Sequence, residues 1–252
     1  MDWTKELNTA IEAATACGAY LHSARYSFTI VDDSGRDFKI DADIESEEIA
    51  KKILSATHDH PIIAEETATS QDFRNTNRPF WIIDPLDGTL NFGRDIPYSC
   101  VSISLWNGDN PLLGVVYDFD RDEMFHGIVG SGAYRGGSPI HVTSATEPSK
   151  SMIATGFPVH SRFDKQDLLV ALERIQNFKK VRMLGSAALS LAYVACGRVD
   201  AYAENGIMLW DVAAGVALVR AAGGHVDITQ SSEDVLWSYN IQASGSPNLW
   251  TP

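Results

Sequence analysis

Apolar residues recur at helical spacing from the start of the chain. Trp3, Leu7, Ile11, Ala14, Gly18 and Leu21 share one side of "MDWTKELNTAIEAATACGAYLHSA" and predict an amphipathic helix. "FTIVDDSGRDFKIDADI" follows as a short hairpin or loop turning at Asp-Asp-Ser-Gly. Ile44, Ile49, Ile53 and Leu54 then return to helical spacing in "IESEEIAKKILSAT", a second helix. From about residue 80 to 142 strands dominate: "FWIIDPL", "CVSISLW", "LLGVVYDF", "EMFHGIVG", "GAYRGG" and "IHVTS", separated by Gly, Asn, Asp and Pro. The second half alternates. "SMIATGF", "KVRML" and "DAYAE" read as strands, with "KQDLLVALERIQNF", "SAALSLAYVACG" and "WDVAAGVALVRAAGG" as the helices between and after them. "HVDIT" and "NIQASG" close the chain as short strands. This pattern predicts layered helices and sheets, an α/β fold. We read residues 1–252 as one unit with two lobes, roughly 1–145 and 146–252.

Composition narrows the class. With 44% hydrophobic and 21% charged residues the chain is an ordinary globular one. No apolar run is long enough to cross a bilayer, and Asp2 and Glu6 near the start argue against a secretory signal. Cys17, Cys100 and Cys196 are widely spaced among apolar neighbours and read as reduced residues of a cytoplasmic protein. A net charge of −13 argues against a nucleic-acid polymer as partner. It allows a small phosphorylated metabolite, provided cations intervene. His58 and His60, in a polar loop before Pro61, read as surface residues. "GSGAYRGGSPI" lacks the Walker lysine and reads as a hairpin, and "YSCVSIS" places Cys100 in a buried strand with no evident base beside it.

The stretch "WIIDPLDGTLNF" demands a chemical reason. Pro85 predicts that the strand entering at Trp81 ends here, Gly88 allows a tight turn, and Thr89 has an N-capping side chain. Asp84 and Asp87 are thereby fixed at the carboxyl end of a strand. Other acids sit at comparable points: Glu65-Glu66 after "PIIA", Asp43 in "KIDADI", and Asp211 in "LWDVAAG". Taken singly, Asp43 and Asp211 read as first-turn acids favoured by the helix dipole, and the glutamates as a solvated pair. Together they make a set of hard oxygen ligands for Mg²⁺, Mn²⁺ or Ca²⁺. In such a site Asp84 can bridge two ions, the Leu86 carbonyl adds a neutral ligand, and the amides of Gly88 and Thr89 meet a phosphate.

"WIIDPLDGTLNF" closely resembles the D-P-[IL]-D-G-T signature of the inositol monophosphatase family. "IIAEET", "LGSAALSLAYVACGRVDAYAE" and "LWDVAAG" match further segments in family order, from Asp43 to roughly residue 245. The resemblance implies a layered α-β-α-β-α sandwich of the inositol monophosphatase/fructose bisphosphatase type, homodimeric, Mg²⁺-dependent and lithium-sensitive. It implies Glu65, Asp84, Asp87 and Asp211 as metal-ligand side chains with the Leu86 carbonyl, for two or three Mg²⁺ ions with Mn²⁺ as a substitute. It assigns Gly88 and Thr89 to phosphate, Asp43 with Thr89 to the attacking water, and Gly185, Ser186, Ala187 and Glu204 to substrate hydroxyls. Ala64 stands where the family commonly has Gly, and the loop ahead of Asp43 is short.

The implied function is a Mg²⁺-dependent phosphomonoesterase acting on a small polyol or sugar phosphate such as inositol 1-phosphate. Rival substrates are 3′-phosphoadenosine-5′-phosphate, fructose 1,6-bisphosphate and histidinol phosphate. Glu204 argues against the nucleotide, because a carboxylate accepts hydrogen bonds from hydroxyls and repels a second phosphate. A non-catalytic phosphate-metabolite-binding regulator is the rival from another class. The intact Asp43–Thr89 pair argues against it.

Overall fold

Strand "PFWIIDPLD" is buried on both faces, and this arranges the layers around it. In the computed structural model, which describes residues 2–33, 38–68, 71–76, 78–157, 165–231 and 235–250, Phe80 and Ile82 join one apolar cluster while Trp81 and Ile83 join another. The side-chain period of two in a strand sends alternate residues to opposite faces.

The elements run α1 (Thr4–Ala24), β1 (Ile30–Asp32), β2 (Lys39–Ile40), α2 (Asp41–Thr57), β3 (Ile62–Ala64), β4 (Pro79–Asp87), α3 (Thr89–Gly93), β5 (Cys100–Asn107), β6 (Asn110–Asp118), β7 (Glu123–Ile128), β8 (Gly132–Arg135) and β9 (Ser138–Ile140). They continue as β10 (Met152–Thr155), α4 (Lys165–Ile175), β11 (Lys180–Arg182), α5 (Ala187–Ala195), β12 (Ala201–Met208), α6 (Leu209–Ala221), β13 (His225–Gln230) and β14 (Ser238–Ser244). Strands β3 to β9 form a seven-stranded sheet in sequence order, parallel only between β3 and β4. A five-stranded sheet has the order β11-β10-β12-β14-β13.

Helices α1 and α2 cover one face of the larger sheet through Ala10, Ala13, Ala14, Cys17, Leu21, Ala50 and Leu54. Helices α5 and α6 lie between the sheets, and α4 contributes Ile175 to a smaller cluster with Ile153, Ala201 and Ala203 of the second sheet. The result is the α-β-α-β-α layering expected from the sequence. Almost every residue of α6 is buried, so its sequence is apolar all round instead of striped. Small residues let it sit close. A Cβ at Gly114 would overlap the Ala214 carbonyl of α6, and one at Gly215 would overlap the Leu191 side chain of α5. Among the described residues no helix is long and apolar enough to cross a membrane.

Several local expectations change. β4 does not stop at Pro85; it continues to Asp87, with an irregularity between Asp84 and Asp87 against β5. Pro85 is tolerated because the ladder is already broken there. Gly88, at φ 91°, is the N-cap of α3, and the Thr89 hydroxyl instead donates to the Leu86 carbonyl at 3.0 Å. Asp43 is the third residue of α2, not a residue before it, and Ile44 is 42% exposed while Ala42, Ser46, Ala50 and Leu54 face inward. β12 runs on to Met208, so Glu204 lies mid-strand. Of "IHVTS" only Ile140 belongs to a strand. The tip of the predicted hairpin, 34–37, lies outside the described residues, but its arms pair as β1 and β2.

Gly114→Ala tests the β6–α6 approach. Forcing a methyl against helix backbone should destabilise the protein by about 1–3 kcal/mol. A urea midpoint equal to wild type, at unchanged slope, would show that the two backbones do not meet this closely.

Candidate metal centre and substrate pocket

The site forms where the two sheets and α6 converge. Asp84, 1% exposed, lies on β4. Glu65 immediately follows β3, its amide donating to the Ile83 carbonyl of β4 at 3.1 Å. Asp211 sits in the first turn of α6 and accepts from the Met208 amide at 3.3 Å. One carboxylate oxygen from each of the three lies within 4.8 Å of the others. Parallel pairing of β3 and β4, which sets Ala64 opposite Ile83, brings the first two together.

Burial first, then mutual repulsion, raises these acids far from their ordinary range. Glu65 is pushed up to about 8, and Asp84 and Asp211 are held well above 3.8. Such a cluster requires protons or cations between its oxygens. The donor set consists of hard carboxylate oxygens, which fits Mg²⁺-, Mn²⁺- or Ca²⁺-like ions.

Asp87 lines the same pocket, but its Oδ2 is held by others. Ser186 Oγ donates to it at 2.6 Å and the Ala188 amide at 2.7 Å, while the Ala187 amide approaches Oδ1 at 3.4 Å. Burial raises Asp87 to about 6 against the opposing pull of these donors. Ser186 is the N-cap of α5 and accepts from the Leu189 amide at 3.2 Å, so one hydroxyl caps the helix and fixes the acid. The Leu86 carbonyl accepts from Thr89, which leaves a second lone pair for another partner.

Asp43 stands beside Thr89, with Oδ1 3.4 Å from its hydroxyl and Oδ2 accepting from the Ile40 amide at 2.9 Å. Burial raises Asp43 to about 7. Gly88 and Gly185 meet back to back: a Cβ on Gly88 would lie 3.1 Å from the Gly185 carbonyl, and both have positive φ.

A pocket of about 320 Å³ opens beside the acids. Glu65, Asp87, Gly185, Ser186, Ala187 and Glu204 all line it. Glu204 is 6% exposed and raised to about 7 by burial; Tyr202 Oη donates to its Oε2 at 2.6 Å. Arg182, a tempting anion contact, is exposed and donates to the neighbouring Val181 carbonyl, and Arg162 lies outside the described residues.

Sequence reading missed the residues that support these groups. Glu47, one helical turn from Asp43 on α2, is 1% exposed and accepts from the Glu66 amide at 2.7 Å and the Thr67 hydroxyl at 2.6 Å. It fixes the loop that carries Glu65, and its i,i+4 spacing from Asp43 was the available signal. Asn91 donates to the carbonyls of Tyr98 and Leu184, at 2.9 and 2.8 Å, and binds the signature turn to the Gly185 segment. Lys39 lines the pocket, 3.2 Å from Glu66.

The description "Inositol monophosphatase family" belongs to the family model that matches residues 2–250. The chain belongs to the inositol monophosphatase family. It is 38% identical over 251 residues to Inositol monophosphatase 1 of Solanum lycopersicum, covering 96% of this chain and 91% of that protein. It is 38% identical over 225 residues to a protein named Nus factor SuhB of Xylella fastidiosa, covering 87% of this chain and 80% of that one. Its fold matches a solved inositol monophosphatase structure from Anabaena (Nostoc) with TM-score 0.81 and 37% identity, over 98% of this chain and 92% of that chain. Members of the inositol monophosphatase family are metal-dependent phosphomonoesterases, and this chain is a phosphomonoesterase of that type.

The raised acids give a signed pH test. Glu65, Asp43 and Glu204 hold protons up to about 8, 7 and 7 in the fold, against ordinary values of 4.5, 3.8 and 4.5. Between those limits the folded chain binds more protons than the unfolded one, so its stability falls as pH rises. In EDTA, Tm should fall between about pH 5 and about pH 8, and a divalent cation should restore more of it at the higher pH, by at least ~2–4 °C. A Tm insensitive to pH and cation across that window would contradict the clustering.

Proposed function

We propose that this member hydrolyses a small polyol or sugar monophosphate, inositol 1-phosphate or a close relative, with Mg²⁺ as its natural ion and Mn²⁺ as a substitute. The observation that carries this reading is the junction of the Glu65–Asp84–Asp211 cluster with the Asp43–Thr89 pair on one side and Glu204 on the other. Glu65, Asp84, Asp87, Asp211 and the Leu86 carbonyl would hold the ions. When bound, they supply positive charge to the phosphoryl oxygens and acidify the attacking water.

The chain's own residues do the rest. The amides of Gly88 and Thr89 donate to the phosphate. With its hydrogen turned from the Leu86 carbonyl to Asp43, Thr89 takes the proton of the attacking water as its own passes to Asp43, which gains one proton in all. The new P–O bond forms as the bond to the polyol oxygen breaks, and that oxygen leaves with a proton from solvent water. Ser186 and the α5 amides hold Asp87 still. Gly185, Ser186 and Ala187 contact substrate hydroxyls, and Glu204 accepts from them through the oxygen that Tyr202 does not occupy. A second phosphate at that point would meet a buried carboxylate, which disfavours phosphoadenosine phosphate and fructose bisphosphate. Homodimerisation, lithium sensitivity and a cytoplasmic location belong to the same reading, supported by family resemblance.

The identity to a protein named Nus factor SuhB favours a second reading, in which the same fold also meets a transcription protein. A net charge of −13 makes a basic protein partner more suitable than a nucleic acid.

Phosphate release from a substrate panel, with and without Mg²⁺, tests the first reading. Asp84→Asn should abolish turnover in a protein whose circular dichroism is unchanged. Thr89→Ala should keep metal affinity and lower kcat by roughly 10²-fold or more. Full activity of the Asn variant at saturating Mg²⁺ would sink the assignment, and a Thr89→Ala loss confined to metal binding would remove its proton-handling role.

Glu204→Gln probes substrate choice. kcat/KM for a polyol phosphate should fall more than that for a featureless aryl phosphate, because only the former has hydroxyls to lose. An equal effect on both would take Glu204 out of the substrate site and reopen the nucleotide reading.

A further inference from the structure

Two histidines that the sequence reads as surface residues are drawn inward, before the start of β3, whose other end leads into Glu65. His58 is the C-cap of α2 and His60 leads into β3; their side chains are only 6% and 19% exposed. Their rings stack at 5.5 Å with 6° between planes, and both stand edge-on to Trp81 at 6.1 Å. Glu6, in the first turn of α1, faces them. Its Oε1 lies 3.6 Å from His58 Nδ1 and 3.9 Å from His60 Nε2.

Thr9 and Glu6 face the two ring nitrogens of His58. Thr9 Oγ1 lies 3.1 Å from the Lys5 carbonyl and 3.2 Å from His58 Nε2, and its hydroxyl can accept from the ring when its hydrogen goes to the carbonyl. In the tautomer with hydrogen on Nε2, donated to Thr9, His58 turns its Nδ1 lone pair to the Glu6 carboxylate. A nitrogen lone pair directed at a carboxylate oxygen is repulsive unless a proton or a cation lies between them. His60 Nε2 is also buried and has no hydrogen-bond partner, since 3.9 Å from Glu6 is too long for one. Two ring nitrogens and a carboxylate oxygen thus lie close around one small space.

We propose that Glu6, His58 and His60 form a second cation site, distinct from the acid cluster and suited to a borderline transition metal such as Zn²⁺ or Co²⁺. The three ligand atoms lie within 4.8 Å of one another. Ligand bonds of about 2.0–2.2 Å at a tetrahedral angle place neighbouring donors about 3.4 Å apart, so the 3.6 and 3.9 Å spacings to Glu6 need only a slight contraction. Two imidazoles with one carboxylate and an open fourth position select zinc and its neighbours, whereas the acid cluster offers oxygen alone. Thr9 supplies the outer support that a metal-binding imidazole needs on its other nitrogen.

The site would act as a clamp. It joins the start of α1 to the end of α2 and the entry to β3, the strand whose other end leads into Glu65. Its ion would stabilise this corner of the fold and take no part in hydrolysis.

Cobalt titration of the whole protein in excess Mg²⁺ tests this, because four-coordinate imidazole-bound Co²⁺ absorbs strongly in the visible. The wild type should take up one equivalent with that spectrum, and so should Asp84→Asn. His60→Gln should lose the spectrum and Glu6→Gln should weaken it, with kcat in Mg²⁺ unchanged in both. Zn²⁺ should raise the Tm of wild type and not of His60→Gln. If His60→Gln does not fold, Glu6→Gln carries the comparison. A wild type without the visible bands, or variants that keep them at full strength, would overturn the site.

Discussion

Like charge held close together is the constraint on which this structure depends. Two carboxylates 4 Å apart near a protein surface repel by about 4 kcal/mol, and three such groups meet here. The fold can bear that only if something positive, or a set of protons, sits among them. Lys39 is the one cationic side chain among the described pocket-lining residues, and it is drawn to Glu66. The strain is therefore also a capacity. An ion that relieves it becomes an electrophilic seat for phosphate in a protein of net charge −13.

Holding repelling groups requires a rigid frame, and the layers provide one. β4 is sandwiched between the α1–α2 layer and the α5–α6 layer, so the acids at its end cannot swing apart. Close approach of α6 to β6 through Gly114, and of α6 to α5 through Gly215, sets where Asp211 enters the cluster. The buried hydroxyls and amides at the start of α5 fix Asp87, and Glu47 fixes the loop bearing Glu65. The larger sheet thus carries Glu65, Asp84 and Asp87 while α6 brings Asp211, and the site exists only where these layers meet.

Much of this was legible in the chain. Periodicity separated the strand-rich half from the alternating half, and "WIIDPLDGTLNF" announced its chemistry because a proline, two acids and a glycine at a strand end are costly without a purpose. What stayed hidden was long-range. Ile44 satisfied a helical period yet faces solvent, because Ala42, Ser46, Ala50 and Leu54 take the inward side of α2. The Gly88–Gly185 contact and the reach of Asn91 to Leu184 join segments about a hundred residues apart, and no local pattern encodes them. His58 and His60 looked solvated because their neighbours in sequence are polar; their neighbours in space are Trp81 and the first helix.

The acid cluster should repel phosphate until divalent cations convert it into a phosphate seat. Calorimetric titration of inorganic phosphate into the whole protein, once in EDTA and once in saturating Mg²⁺, tests that claim most directly. No measurable binding is expected in EDTA and clear one-site binding with Mg²⁺, lost again in Asp84→Asn. Equal phosphate affinity with and without the cation would contradict it.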